Sequence, residues 1–421
     1  MLALVGAAGS LMALIVALSA VGFACAYLPK GEPLLAPAAL QSLSRLCFHV
    51  FLPATTFASL GANVSVALLR AYWILPLGAL AQTGLSFLFA DITAPLSGAA
   101  PELRRVLRVA IAQPNAFAYP LLVLTSLCRN PRVRAEFDDD AAACADQAVG
   151  ALFVYLIGWS LVYWSYSYPA LAPPAALAPP ASPTAARGVD VEVELKDEPD
   201  GAASLESGGD GSLDGGDDDA AATTRCRAAR LLRRGVARTL GEPNMQATIA
   251  GVLYGLCAPA RRATFGDRST PLTWLGIASR TLGLPVVSVV AMVGAAALGN
   301  GRIRAAASAD QADGKKPPPA LMPRTALWFL GVRLLLLPCA GFSAAFLLRR
   351  LRLWPTRHKL VQLVLLLQLA VPSAQTILVS LNQLRQVEMG EVVATYYFPM
   401  YIVSVLTVSF FAALALDFVY Y

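Results

Sequence analysis

Long apolar stretches recur along the chain, separated by short segments that contain charged residues, proline or glycine. A helix needs about 20 consecutive apolar residues to cross the hydrocarbon core of a bilayer. Ten stretches come close to that length or exceed it, although several contain a proline, a glycine or one polar residue. The pattern therefore predicts an all-α polytopic membrane protein with ten spans, at 2–27, 40–61, 71–90, 105–128, 147–168, 243–260, 279–299, 324–348, 359–384 and 391–420.

The first stretch has a second interpretation as a signal peptide, because Ala24-Cys25-Ala26 fits the small-residue pattern of a cleavage site. No Lys or Arg precedes it, and its apolar run is longer than the roughly 7–15 residues of a signal-peptide core. We therefore expect a retained helix.

The segment between the fifth and sixth stretches has a different character. Residues 169–186 are rich in Pro and Ala, and 187–219 are acidic and Gly-rich. Such compositions bury too little apolar surface to fold, so we expect disorder. The run RCRAARLLRRGVARTL (225–240) has arginines spaced three and four apart, which favours a helix lying on anionic head groups; a solvated leader to the sixth span is the alternative. We predict three regions: 1–168 and 243–421 with five helices each, and a cytosolic loop at 169–242.

Composition agrees with a lipid environment. Hydrophobic residues make up 57% of the chain and charged residues 14%, whereas a soluble domain carries about 25% charged residues. The lipid bilayer is thus the expected partner, and a cytosolic enzyme or a secreted disulfide scaffold is excluded. The basic residues are scattered between apolar spans, so no nucleic acid is expected. His49 and His358 are the only histidines, and no catalytic triad, metal cluster or phosphate loop is visible; we expect neither an enzyme nor a cofactor.

Two polar features of the spans call for an interpretation. Arg280 and Arg333 lie near span ends, where a long side chain reaches the interface, so we expect both to extend to the head groups. No Asp or Glu stands at the centre of a span; a proton relay would require one, and none is therefore expected.

The seven cysteines include no CxxC pair. We expect them to be small buried apolar residues. A Cys128–Cys144 disulfide is the alternative, since both residues flank one loop. Lys and Arg near the span ends place the central loop in the cytosol by a modest excess. The loop between Cys128 and Cys144 would then lie on the opposite side of the membrane.

The central loop divides the ten spans into five and five, and an odd number per half makes any repeat inverted in the membrane. Prolines recur at corresponding places: Pro53 and Pro285 in the second and seventh spans, QPNAFAYP (113–120) in the fourth and AVPSAQTIL (370–378) in the ninth. Two broken helices at matching positions indicate a binding site near the membrane midplane.

Half-helix N-termini at such a site present free N–H groups suited to a carboxylate. We therefore predict a small organic anion as substrate. The alternatives are that the prolines only kink their helices and that Asn115 forms an interhelical hydrogen bond. The candidate binding residues flank the two breaks: Gln113, Asn115, Pro114, Pro120, Pro372, Ser373 and Gln375.

Several of these motifs resemble the auxin efflux carrier family of membrane transporters, and its PIN-LIKES branch in particular. The similarity is carried by VFLPATTFASLGANVS and AYWILPL in the second and third spans, by IAQPNAFAYPLLVLTSLC in the fourth, and by AVPSAQTILVSLNQLRQVEMGEVVATYYFPMYIVSVLTVSF at the end. The order and spacing of the motifs match over all ten spans.

The resemblance implies two inverted five-helix repeats with crossing, proline-broken helices four and nine, and elevator-type movement. It implies indole-3-acetic acid or a similar aromatic anion as substrate and the endoplasmic reticulum as the first location, with the plasma membrane second. Asn115 matches the first Asn of the family's G-N-x-G-N-x-P element, Pro120 matches its proline, and Pro372 matches the second crossover proline. Pro114 and Ala118 depart from that element.

Other functions remain open from the sequence. The same fold could carry another organic anion, such as a bile-acid-like one, with sodium. A membrane sensor that binds ligand without transport is a third hypothesis, in which the central loop recruits partners. Whether the chain forms a homodimer is also left open.

Overall fold

The structure of the protein is a computed structural model that describes residues 17–28, 33–173, 237, 239–266, 270–310, 322–354 and 358–420, with backbone alone at 305–310. These residues are almost entirely helical. In chain order the helices of eight or more residues are α1 (Ala17–Tyr27), α2 (Pro37–Asn63), α3 (Ile74–Leu96), α4 (Pro101–Ala112), α5 (Ala118–Leu127), α6 (Ala141–Leu171), α7 (Pro243–Leu256), α8 (Ala258–Phe265), α9 (Thr273–Arg304), α10 (Pro323–Arg350), α11 (Lys359–Ala370), α12 (Thr376–Gln383) and α13 (Val387–Tyr420).

Six of these helices are long and apolar enough to cross a membrane: α2, α3, α6, α9, α10 and α13. The predicted all-helical polytopic membrane protein is therefore confirmed. The fourth and ninth predicted spans are each interrupted and form the pairs α4–α5 and α11–α12. The acidic stretch 187–219 and most of the basic run 225–240 lie outside the described residues.

Three of the long helices contain a turn widened to π-helical hydrogen bonding, at Cys47–Phe51, Tyr163–Ser167 and Val332–Leu336. Each turn ends two residues before a proline: Pro53, Pro169 and Pro338. A proline cannot donate to the carbonyl four residues back, and its ring collides with that carbonyl. The helix accommodates the proline by opening one turn rather than by ending, which agrees with a π-bulge as a cause of helix bending.

The helix α7 packs against α2 through two glycines one turn apart. A Cβ atom at Gly255 would lie 2.5 Å from the Val64 carbonyl oxygen, and one at Gly251 would lie 2.9 Å from Leu60 Cβ. Small residues at this spacing let two helix backbones approach closely in a membrane. The GVLYG sequence of α7 thus sets how closely it approaches α2.

A similar close contact joins α1 to α9. A Cβ atom at Gly22 would lie 2.5 Å from the Met292 carbonyl oxygen, and one at Gly299 would lie 2.8 Å from Ala26 Cβ. The first helix of each half therefore packs against a helix of the other half: α1 on α9, and α7 on α2.

The prediction that the cysteines are small buried apolar residues was wrong for Cys257 and Cys339, which are exposed, and for one pair that forms a disulfide. Cys128 and Cys144 form a disulfide with their Cα atoms 5.7 Å apart, within the usual range for this bond. Cys128 caps the C-terminus of α5 and Cys144 lies in the first turn of α6. The disulfide therefore joins the end of α5 to the start of α6. The packing of these two helices brings the two thiols together, and the sequence spacing alone does not show it.

Candidate functional site

The first helix break is formed by residues 113–117. Gln113 has the extended backbone angles φ −102° and ψ 104°, as expected for a residue that precedes a proline. α4 therefore ends at Ala112, and α5 begins at Ala118. The second break is built in the same way, because Val371 precedes Pro372 and has φ −71° and ψ 152°.

The two breaks lie against each other and pair as a short antiparallel bridge between Pro114 and Ser373. The Asn115 amide donates to the Pro372 carbonyl oxygen at 2.7 Å, and the Ala374 amide donates to the Gln113 carbonyl oxygen at 2.9 Å. Backbone groups at membrane depth need partners within the protein. Each break supplies partners to the other, which explains how both are tolerated together.

Side chains satisfy further carbonyl oxygens of the breaks. Gln368 donates through Nε2 to the Ala116 oxygen at 2.9 Å. From α13, Tyr401 donates through its hydroxyl to the Ser373 oxygen at 2.8 Å, and the Tyr397 hydroxyl donates to Ala374 at 3.2 Å. We call the two paired breaks, residues 113–117 and 371–375, the crossing. The crossing is thus a hydrogen-bonded polar centre inside an otherwise apolar bundle.

The prediction that Arg333 reaches the interface was also wrong. Its side chain is 1% exposed and lies on the π-helical turn of α10. At 1.5 Å per residue it is about 15 Å from the start of α10 at Pro323, roughly half the thickness of a hydrocarbon core. The guanidinium instead donates to backbone oxygens of α4 and of the α11 end. Arg280, by contrast, is exposed and lies 5.5 Å from the Phe265 ring centroid.

A cavity of about 140 Å³ adjoins the crossing. Backbone and side chains of both breaks contribute to its wall, including Asn115 to Ala118 and Ala374 to Thr376. Aromatic rings form a second part of the wall, and none of the described residues that line the cavity is charged. Hydroxyl-bearing residues outside the breaks also line the cavity: Thr55, Thr56, Ser59 and Ser160.

Two of the predicted site residues line this cavity, Asn115 and Gln375. The side-chain amide of Asn115 also donates through Nδ2 to the Tyr401 hydroxyl at 3.0 Å. The interhelical hydrogen bond that the sequence left open is therefore present, together with exposure of the residue to the cavity.

The other predicted residues lie behind the wall. Gln113 is fully buried, and its Nε2 donates to Ser167 Oγ at 2.6 Å. Pro114, Pro372 and Ser373 form the bridge between the breaks, and Pro120 is buried in the first turn of α5. These residues shape the backbone of the site without lining the cavity.

Several lining residues were not predicted, above all the aromatic ones: Phe117, Phe153, Trp159 and Trp164. Trp159 stacks on Tyr163 with ring centroids 4.7 Å apart. On a helix that is apolar all round, the sequence does not tell which aromatic residue faces a cavity. Arg333 did carry a signal, since an ionisable residue inside a span is a functional candidate by default.

A second cavity, of about 300 Å³, lies between α1, α9, α12 and α13. Gln375 lines both cavities, and Tyr401 lines the second one. The crossing therefore borders two separate cavities.

Comparison with known proteins matches residues 10–412 to the family model described as "Membrane transport protein". The chain belongs to this membrane transport protein family. The match confirms the auxin efflux carrier family predicted from the sequence, while the PIN-LIKES branch stays a prediction. No individual curated protein matches the chain. This member of the membrane transport protein family is therefore an integral, multi-pass membrane transporter of a small substrate.

Proposed function

We propose that this protein carries indole-3-acetic acid or a similar aromatic organic anion across an intracellular membrane. The observation that carries the proposal is the cavity at the crossing. Its wall combines the N-terminal ends of two half-helices with aromatic rings and uncharged amides.

The helix ends account for the choice of an anion. The first amides of α5 and α12 have no partner within their own helices, and a helix N-terminus carries a partial positive charge. Phe117 and Ala118 at one end, and Gln375 and Thr376 at the other, line the same cavity. A carboxylate placed there accepts hydrogen bonds from backbone N–H groups without a buried cation in the wall.

The aromatic wall accounts for the rest of the substrate. Phe117 and Phe153 lie 5.2 Å apart between ring centroids, and Trp159 and Trp164 complete the aromatic part. An indole ring gains offset or edge-to-face contacts from such a wall, at about 0.5–1.5 kcal/mol for each pair beyond simple burial. A small aliphatic anion would leave this surface unused.

The proposed architecture is ten helices in two inverted repeats, 1–168 and 243–421, joined by the loop 169–242. It is supported by the pairing of the α4–α5 break with the α11–α12 break and by the reciprocal packing of α1 on α9 and α7 on α2. Elevator-type alternating access follows in this proposal. The two crossed helices move as one body because their backbones are hydrogen-bonded to each other.

The proposed orientation places the central loop in the cytosol. The Cys128–Cys144 disulfide supports it, because such bonds persist in the endoplasmic reticulum lumen or outside the cell and not in the cytosol. The disulfide-bonded connection between α5 and α6 then faces the lumen, and the end of α6 faces the cytosol. We propose the endoplasmic reticulum membrane as the location, from the family resemblance.

A ligand series tests the chemistry of the cavity. Purified protein is titrated with indole-3-acetic acid, with the neutral indole-3-acetamide and with acetate, while tryptophan fluorescence is recorded. We expect saturable quenching of tryptophan fluorescence by indole-3-acetic acid, and much weaker effects of indole-3-acetamide and of acetate. Equal affinity for the neutral amide would show that the helix ends do not recognise a carboxylate.

Flux separates a carrier from a ligand-binding sensor. Sealed vesicles that contain the protein should accumulate labelled indole-3-acetic acid above empty vesicles. Binding in the titration without any flux would support the sensor.

A further inference from the structure

Arg333 brings a permanent positive charge to the crossing. Its Nε and Nη2 donate to the Val371 oxygen at 2.9 and 2.6 Å, Nη1 donates to the Ile111 oxygen at 3.1 Å, and Nη2 also reaches the Gln368 oxygen at 3.3 Å. In the part of the chain that the structure describes, none of the ion pairs includes Arg333. Its charge is thus faced by backbone oxygens rather than by a carboxylate.

These oxygens belong to the C-terminal ends of the two half-helices that precede the breaks. Ile111 lies in the last turn of α4, Gln368 lies in the last turn of α11, and Val371 follows it. The last carbonyl groups of a helix lack partners within it and carry a partial negative charge. A single guanidinium therefore joins two negative helix ends at a depth where water does not satisfy them.

The carbonyl ends of broken helices are also the groups that bind a coupling cation in transporters of this general plan. Sodium and other hard cations bind carbonyl oxygens directly. In this protein the Arg333 guanidinium already donates hydrogen bonds to these oxygens. A mobile cation at this place would have to displace a buried side chain that makes four hydrogen bonds.

We propose that Arg333 is the resident cation of the crossing: it holds the C-terminal ends of α4 and α11 together and takes the place of a mobile cation. Arg333 is a positioning residue, since the residues lining the cavity do not include it. It acts by fixing the two breaks whose N-terminal ends face the substrate. This inference rests on the proposed function, because it concerns how that anion site is held and charged.

The proposal makes three requirements on transport. Uptake by the unmodified protein should be the same in sodium, potassium and choline buffers. Arg333→Ala should lower uptake by about tenfold or more, because buried carbonyl oxygens lose their donor. Millimolar guanidinium or methylguanidinium should restore part of that uptake, since the ion fits the space that the side chain leaves.

Matched variants separate charge from packing. Arg280→Ala removes an exposed arginine from α9 and should neither lose uptake nor respond to guanidinium. Arg333→Lys keeps the charge with a different shape, whereas Arg333→Gln keeps N–H donors without charge. The proposal expects Lys to retain clearly more uptake than Gln. Equal loss in the two variants would leave only a packing role and would overturn the proposal.

Thermal stability gives a readout that does not need a transported substrate. Arg333→Ala should melt at a lower temperature than the unmodified protein, and millimolar guanidinium should raise the melting temperature of this variant alone. If Arg333→Ala does not fold, Arg333→Gln takes its place in the same comparison. If indole-3-acetic acid is not taken up but guanidinium still raises the melting temperature of the variant, the proposed substrate is refuted and the resident cation is supported. A sodium requirement in the unmodified protein, or no guanidinium effect on either variant, would refute the resident cation.

Discussion

The backbone amide of Asn115 donates a 2.7 Å hydrogen bond to the carbonyl oxygen of Pro372, so the two broken helices are joined at their breaks. Asn115 has two roles, since it lines the cavity and its side-chain amide donates a hydrogen bond to the Tyr401 hydroxyl. Tyr401 in turn donates to Ser373 in the second break. The wall of the cavity and the integrity of the crossing therefore depend on the same few groups, and in the proposed function these groups also contact the substrate.

Tyr401→Phe should weaken both stability and transport. The substitution removes the hydroxyl that donates to the Ser373 oxygen and accepts from Asn115. Leaving a buried acceptor without its donor costs about 1–3 kcal/mol. The melting temperature and the initial rate of uptake measure the two effects.

The control for Tyr401 is Tyr166→Phe, which removes an exposed hydroxyl that accepts from Arg108. It should change stability by no more than about 0.5 kcal/mol. The double variant Asn115→Ala with Tyr401→Phe should lose less than the sum of the single losses, because both remove the same hydrogen bond. Strict additivity would show that the bond does not contribute.

Trp159→Leu should lower the affinity for an aromatic anion while the protein stays folded. The indole ring of Trp159 lines the cavity and stacks on Tyr163. Losing an aromatic contact to the substrate costs about 0.5–1.5 kcal/mol, or up to about tenfold in affinity. Concentration-dependent uptake gives the apparent KM, and Trp73→Leu, at a position that is 59% exposed, is the control. An unchanged KM in Trp159→Leu would place the substrate elsewhere.

Gly255→Ala should destabilise the helix bundle. The added methyl group would lie 2.5 Å from the Val64 oxygen and 2.9 Å from the Leu60 oxygen, which are backbone atoms at the C-terminal end of α2. Such overpacking typically costs about 1–3 kcal/mol. Gly331→Ala is the matched change within a helix, because a Cβ there meets nothing within 4 Å. Thermal unfolding in detergent compares the two, and equal melting temperatures would contradict the close packing of α7 on α2.

Cys128→Ser should lower stability by about 2–4 kcal/mol through loss of the disulfide to Cys144. The same loss is expected from Cys144→Ser, and the double variant should resemble either single one. Cys339→Ser, at an exposed free cysteine, is the control and should have little effect. Alkylation before and after reduction counts the bonded thiols. Free Cys128 and Cys144 in protein isolated under oxidising conditions would refute the bridge and the orientation drawn from it.

The sequence predicted the places where the helices are interrupted, because proline acts locally. Pro114 and Pro372 force their preceding residues into extended conformations whatever surrounds them. It could not predict that Tyr401 lies over the breaks. The position of Tyr401 depends on how α13 is rotated about its axis against α12. An apolar helix without a polar face has no hydrophobic periodicity that would predict this rotation.

Arg333 shows a different reason for error. Its place in the span was interpreted as near enough to the span end to reach the interface. The acceptors that hold it lie outside α10, in the last turn of α4 and just after α11. The Cys128–Cys144 pair likewise depends on the packing of α5 against α6. Local chemistry predicted the breaks, whereas contacts between distant segments decided which polar groups meet there.

Uptake of labelled indole-3-acetic acid into sealed vesicles, with Asn115→Ala beside the unmodified protein, tests the central claim most directly. Asn63→Ala is the control, since its Nδ2 donates to Ser59 within α2 and it does not line the cavity. We predict saturable uptake whose apparent KM rises about fivefold in Asn115→Ala, for a loss of about 1 kcal/mol, and is unchanged in Asn63→Ala. Saturable uptake that is identical in all three proteins would contradict binding of the anion at the crossing.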